Sequence, residues 1–164
     1  MKQNANELFD LGQRALNLGN PKEALGIFTQ VLNTEPNHQK ALVKKGNVLG
    51  KLGKYQQAIP FYNKALENNE NDLLALINKG LALHYLQKYE DALNFYDKAL
   101  TQKPNSTTIM YNKASSLIRL NKIQEGLEML QKIIKIDFSY KAKAKHDIDF
   151  QAIKNLNEFK KIVL

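Results

Sequence analysis

At 164 residues, 43% hydrophobic and 24% charged, with four prolines and eight glycines, the chain is neither fibrous nor disordered in composition; it fits one compact domain or a short repeat array. It has no apolar run near the roughly 20 residues of a membrane helix, and the N-terminal MKQNANELFDLGQ has no apolar signal-type core, so a cytoplasmic protein is expected rather than an exported or membrane-bound one. Cysteine is absent, which excludes a disulfide framework, a thiolate metal site and a cysteine nucleophile, and the formal charge of +8 directs attention to acidic partners or nucleic acid.

Hydrophobic spacing predicts helices along the whole chain. The first runs from about Asn4 to Leu18 with an apolar stripe of Leu8, Leu11, Ala15 and Leu18. Asn20-Pro21 opens the second, with Asn20 as cap, Pro21 in the first helical place and Glu23 at capping-box spacing; it ends before Pro36. Helices near Asn37–Leu52 and Tyr55–Asn68 follow, with Gly53 at a left-handed helix end and Pro60 inside the later one. The next pair is predicted near Asn71–Leu86 and Tyr89–Gln102, and the next near Asn105–Leu120 and Ile123–Ile136. Beyond residue 137 a short helix near Ser139–Lys145, a turn and one or two short helical pieces are expected, with Phe150, Ile153, Leu156, Phe159 and Ile162 as their apolar stripe.

These pairs repeat. Gly12, Gly46 and Gly80 stand 34 residues apart, followed by Ala114. Ala24, Ala58 and Ala92 keep the interval, followed by Gly126, and so do Phe28, Tyr62, Tyr96 and Leu130. A fixed period of this length marks stacked units of one helix pair each. Lysine follows the same period at 45, 79 and 113, at 54, 88 and 122, and at 64, 98 and 132, so nine lysines are expected as solvated positions of a copied unit. Residues 137 to 164 break the period, and this tail is expected to cover the last apolar face of the stack.

The pattern Leu42…Gly46…Leu49…Ala58…Tyr62…Ala65, then Leu76…Gly80…Leu83…Ala92…Tyr96…Ala99…Pro104, resembles the tetratricopeptide repeat family. The match covers residues 5 to 140 and departs at Ala114, Gly126, Leu130 and Phe138. The resemblance implies an all-α fold, a right-handed superhelical solenoid of antiparallel helix pairs, in one domain over residues 1–164. Its repeats fall at about 5–38, 39–72, 73–106 and 107–140, with a cap at 141–164. It also implies a concave groove lined by the first helix of each unit, and a protein that binds peptides without catalysis of its own.

If Leu76, Gly80 and Leu83 face the core, residues at fixed offsets from the glycine turn toward that groove. The candidates so placed are Lys44, Asn47, Lys51, Asn78, Leu81, Tyr85, Asn112 and Arg119, joined by the neighbouring Ile77, His84 and Tyr111. An asparagine both donates and accepts, so Asn78 and Asn112 could hold the backbone of an extended peptide; equally, they recur because the unit was copied. Some family members grip a terminal carboxylate with lysine, arginine and asparagine. Asn47 and Asn78 match the asparagine places of that clamp, but Val43, Thr108 and Asn112 stand where it has cations, so a true clamp is not expected.

His84 is expected as a partly exposed helix residue, and Asp147 and Asp149 as caps of the last short helices. No histidines or carboxylates sit at metal-ligand spacing, so no metal or cofactor is expected. Gly46–Leu52 carries two glycines and a lysine, but within a helical pattern and without the hydroxyl residue of a phosphate loop. Ser115 and Ser116 read as helical and unpartnered. The leading function is therefore a protein-interaction module or scaffold for an extended peptide or partner helix, with acidic partners favoured. The alternative is an RNA-binding helical-repeat protein using its basic surface.

Overall fold

The computed structural model describes residues 4–164, and among these every regular element is helical. The first helices of the four repeats, α1 (Ala5–Asn17), α3 (Gln39–Lys51), α5 (Leu73–Tyr85) and α7 (Thr107–Arg119), each span 13 residues. The second helices, α2 (Pro21–Thr34), α4 (Tyr55–Asn68), α6 (Tyr89–Gln102) and α8 (Ile123–Ile136), each span 14. Every start recurs 34 residues on, so the period seen in residue types is also a period of backbone conformation. Helix α4 runs unbroken through Pro60. Contacts divide the chain into two compact units, one ending at Ala82 and the other beginning at Leu83, within α5.

The turn inside each pair is built the same way. Gly19, Gly53, Gln87 and Asn121 all take positive φ, between 61 and 77°. The next amide then reaches back over the helix end, as in Lys54 N to Leu49 O at 2.8 Å and Lys122 N to Leu117 O at 2.9 Å. Two of the four places hold residues other than glycine, so backbone strain is tolerated there.

In the first unit, small residues let paired helices touch. A Cβ on Gly12 would lie 2.6 Å from Phe28 Cε1, and one on Gly46 would lie 2.5 Å from Tyr62 Cε1. Both rings are fully buried, so the aromatic of the second helix fills the space the glycine leaves. In the fourth repeat the roles are exchanged. Ala114 stands at the glycine place, Gly126 at the alanine place, and Ile118 of α7 approaches to 2.5 Å of where a Gly126 Cβ would be. The divergent repeat is thus repacked by moving the bulk from one helix to the other.

Several local expectations change. Buried residues of α1 are Ala5, Leu8, Gly12 and Ala15; Leu11 is exposed because Gly12 takes the packed place beside it, and Leu18 because it is the C-cap, beyond the helix. Asn20 does not cap α2, since its side-chain amide turns to Glu23 Oε2 at 3.3 Å. The capping box forms instead at α1, between Asn4 and Glu7. Lys45, Lys79 and Lys113 are half-buried rather than fully solvated. Lys45 lies 4.5 Å from the centre of the Phe61 ring, and burial lowers its pKa.

The second unit ends in the aperiodic tail. It consists of α9 (Tyr140–His146), a 3-10 segment (Ile148–Ile153) and α10 (Asn157–Val163). Tyr140, Ala144, Phe150, Ile153, Phe159 and Val163 join Ile118, Leu127, Leu130 and Ile133 in one core. The tail therefore covers α7 and α8 as a cap would. Leu156 of the expected stripe is exposed, as the chain turns there between the 3-10 segment and α10, and Val163 takes the buried place.

Candidate functional site

The candidate residues fall in both units, on first helices. In the first unit Lys44 and Asn47 are half-buried on α3 and Lys51 is exposed one turn beyond. Positions 44, 47 and 51 follow helical spacing, so the three share a face. Asn47 Oδ1 accepts the Tyr62 hydroxyl at 2.9 Å, which leaves its amide hydrogens to donate. Among the described residues no acidic group lies within ion-pair distance of Lys44 or Lys51. This face of α3 therefore offers donors and positive charge. On α5, Ile77, Asn78 and Leu81 are all half-buried.

The second unit differs. His84 is buried, at 6% exposure, where a partly exposed residue was expected. Its Nδ1 lies 2.8 Å from Ser116 Oγ and its Nε2 lies 3.0 Å from Asp149 Oδ2. With Asp149 ionised, Nε2 carries the proton and the Ser116 hydroxyl donates to Nδ1. Ser116 is thus partnered, contrary to the sequence reading. Serine, histidine and aspartate in line resemble a nucleophile relay. Ser116, however, is completely buried in the last turn of α7, so its hydroxyl is closed to an incoming substrate in this arrangement.

Arg119 is exposed. Its Nε donates to the Tyr89 hydroxyl at 2.9 Å and lies 3.9 Å from Asp149 Oδ1; the Tyr89 bond is the main cause of its raised pKa. Tyr111 is buried, and its hydroxyl donates to Asp147 Oδ2 at 2.7 Å. Burial first, and this bond to a carboxylate second, push its phenol well above the usual range. The Tyr111 ring packs on Phe150, with centroids 5.6 Å apart. Lys143 stands 4.2 Å above the same ring. Tyr85 is exposed and Asn112 half-buried.

Three second-unit candidates, His84, Tyr111 and Arg119, are therefore brought together by the chain's own tail. Asp147 does cap the 3-10 segment, its Oδ1 accepting Asp149 N at 3.0 Å, but Asp149 caps nothing and pairs with His84. Sequence reasoning missed Ser116, Tyr89 and the inward role of both aspartates. The one available signal was the acidic pair Asp147 and Asp149 within an otherwise lysine-rich tail.

Residues 13–141 match the family model described as the Psidin N-terminal TPR repeats region. No curated protein sequence matches the chain. Among solved structures, a MamA fragment from Desulfovibrio magneticus superposes with a TM-score of 0.85 at 25% identity, covering 99% of this chain and 90% of that one. YrrB, described as a TPR protein with an unusual peptide-binding site, gives 0.79 at 16% identity over 97% and 82%. A tetratricopeptide repeat protein from Parabacteroides merdae gives 0.78 at 23% identity over 96% and 63%. The latter two likenesses concern the fold alone.

Proposed function

The chain belongs to the tetratricopeptide repeat family, and from that premise we propose that it is a protein-interaction module that binds an extended acidic segment of a partner along the exposed faces of its first helices. The observation that carries this reading is the α3 face: Lys44 and Lys51 without an acidic neighbour, and Asn47 with its amide hydrogens free. Asn78, Ile77 and Leu81 add an amide and half-buried apolar area on α5. An extended peptide needs such amides for its backbone and cations for its carboxylates. YrrB, which shares the fold, is described as having a peptide-binding site, a ligand of the same class.

The test is titration of a labelled aspartate- and glutamate-rich peptide into the unaltered chain and into K44E/K51E and Asn78→Ala chains. Reversal of two charges is expected to weaken binding at least about tenfold, since each charge-assisted hydrogen bond is worth roughly 1.5–3 kcal/mol. Added salt should weaken it further. Unchanged affinity in K44E/K51E rejects this face. Tighter binding of single-stranded RNA than of the peptide, lost steeply with salt, would instead favour a nucleic-acid ligand.

A further inference from the structure

We propose that the first-helix face of the second unit is a docking site for a protein segment of the pattern acidic, any, acidic, aromatic, and that the chain's own Asp147-Ile148-Asp149-Phe150 occupies it as an internal stand-in. This rests on the reading of the chain as an interaction module and gives that reading a ligand pattern.

The stand-in is held by specific groups. The Asp147 carboxylate accepts the Tyr111 hydroxyl at 2.7 Å. The Asp149 carboxylate accepts His84 Nε2 at 3.0 Å and faces Arg119 Nε at 3.9 Å. Phe150 is fully buried against Tyr111. Ile148, between the two aspartates, is 77% exposed and contributes nothing to the site. Asp147, Asp149 and Phe150 thus enter the site, and Ile148 alone of the four faces water. Of the receiving groups, Arg119 stands at an offset that helical spacing turns toward a ligand, and His84 and Tyr111 were candidates beside it.

The occupying segment is also the one part of the tail's regular structure without an α-helical ladder. It is a single 3-10 segment, a form with poor hydrogen-bond geometry. Its closing bond, Lys154 N to Gln151 O, is 3.5 Å long. Helix α9 precedes it and α10 follows it, and both are anchored in the core by Tyr140, Ala144, Phe159 and Val163. Phe150 and Ile153 of the segment belong to the same core, so it stays lifted as a strap only when an incoming segment supplies its own aromatic in their place. Because it is tethered, it competes with an incoming peptide at a high effective concentration, so the site is closed to weak ligands.

The test uses the full chain and a fluorescent synthetic peptide carrying residues 145–153, with fluorescence anisotropy as readout. The D147N/D149N chain, whose own strap is weakened, is expected to bind the peptide at least about tenfold more tightly than the unaltered chain. A peptide with asparagine at both aspartate positions should not bind. Absence of saturable binding to a D147N/D149N chain of native helicity overturns the proposal. If that chain loses helicity, hydrogen exchange on the unaltered chain decides. Amides of 148–153 exchanging much faster than those of α7, α9 and α10 support a lifting strap, and equal protection overturns it. Failure here, with acidic-peptide binding still abolished by K44E/K51E, removes the second-unit site and leaves the first-unit reading standing.

Discussion

His84 Nε2 lies 3.0 Å from Asp149 Oδ2, joining the last turn of α5 to a tail residue 65 positions further along the chain. The imidazole is buried, so removing it takes the hydrogen-bond partner from both Asp149 Oδ2 and the Ser116 hydroxyl. His84→Ala is expected to destabilise the second unit by about 1–3 kcal/mol, the range for a buried partner left unsatisfied. Ser116→Ala removes a single bond and should cost about 0.5–1.5 kcal/mol. Guanidinium unfolding followed by circular dichroism measures both, and the double variant should show that the two losses do not add. A His84→Ala chain with an unchanged midpoint would mean that the His84–Asp149 pair contributes nothing to holding the tail.

Gly46 and Gly26 both lie inside helices, yet substitution should move stability in opposite directions. A Cβ at Gly46 would come within 2.5 Å of the buried Tyr62 ring, whose hydroxyl is held by Asn47 and which therefore cannot easily swing aside. Gly46→Ala is expected to cost about 1–3 kcal/mol by overpacking. A Cβ at Gly26 meets nothing within 4 Å, so Gly26→Ala should stabilise by about 0.5–1 kcal/mol through helix propensity. Thermal melts of the two variants settle the signs, and a stabilised Gly46→Ala chain would contradict the packing described for the first unit.

The contrast between Gly46 and His84 shows what could be read from the sequence. Gly46, Ala58 and Tyr62 belong to the copied unit, so each is supported by counterparts at fixed intervals, and α4, α6 and α8 begin and end where spacing puts them. His84 has no such support. Its counterparts are Gly50 and Ile118, and its partners Ser116 and Asp149 lie in the next repeat and in the aperiodic tail. Periodicity describes packing between copies. It carries nothing about a pairing made once, and that is why the tail could be read as a cap but not as an occupant of the α7 face. That Lys44, Asn47 and Lys51 share one face of α3 was legible, because helical spacing alone places those residues together.

Gln87 offers a check on the turns. It takes φ of 61° at the place where Gly19 and Gly53 stand in the earlier repeats. A side chain with a Cβ costs roughly 1–2 kcal/mol in that conformation relative to the right-handed region, whereas glycine adopts it freely. Gln87 is exposed, so little packing is lost on its removal. Gln87→Gly should therefore raise stability by up to about 1 kcal/mol, part of the gain being offset by the greater entropy of glycine in the unfolded chain. Gly53→Ala should lower it by a similar amount. Matched denaturant titrations of the two chains test the pair, and a Gln87→Gly chain less stable than the parent would show that the strain is not there.

Three buried phenols set the alkaline limit of the fold. Burial holds Tyr62 and Tyr96 well above the usual tyrosine range, and burial together with the bond to Asp147 does the same for Tyr111. The raised folded-state pKa means that the folded chain keeps its protons where the unfolded chain, titrating near about 10, gives them up. The stability tied to these phenols is complete below that pH and is lost as pH rises through it toward the folded-state values. A spectrophotometric alkaline titration should therefore show the Tyr62, Tyr96 and Tyr111 phenolates appearing only together with loss of helical ellipticity. Tyr111→Phe should subtract one phenolate from that late phase. Ionisation of all seven tyrosines in one reversible step with the helices intact would show that these rings are not buried as described.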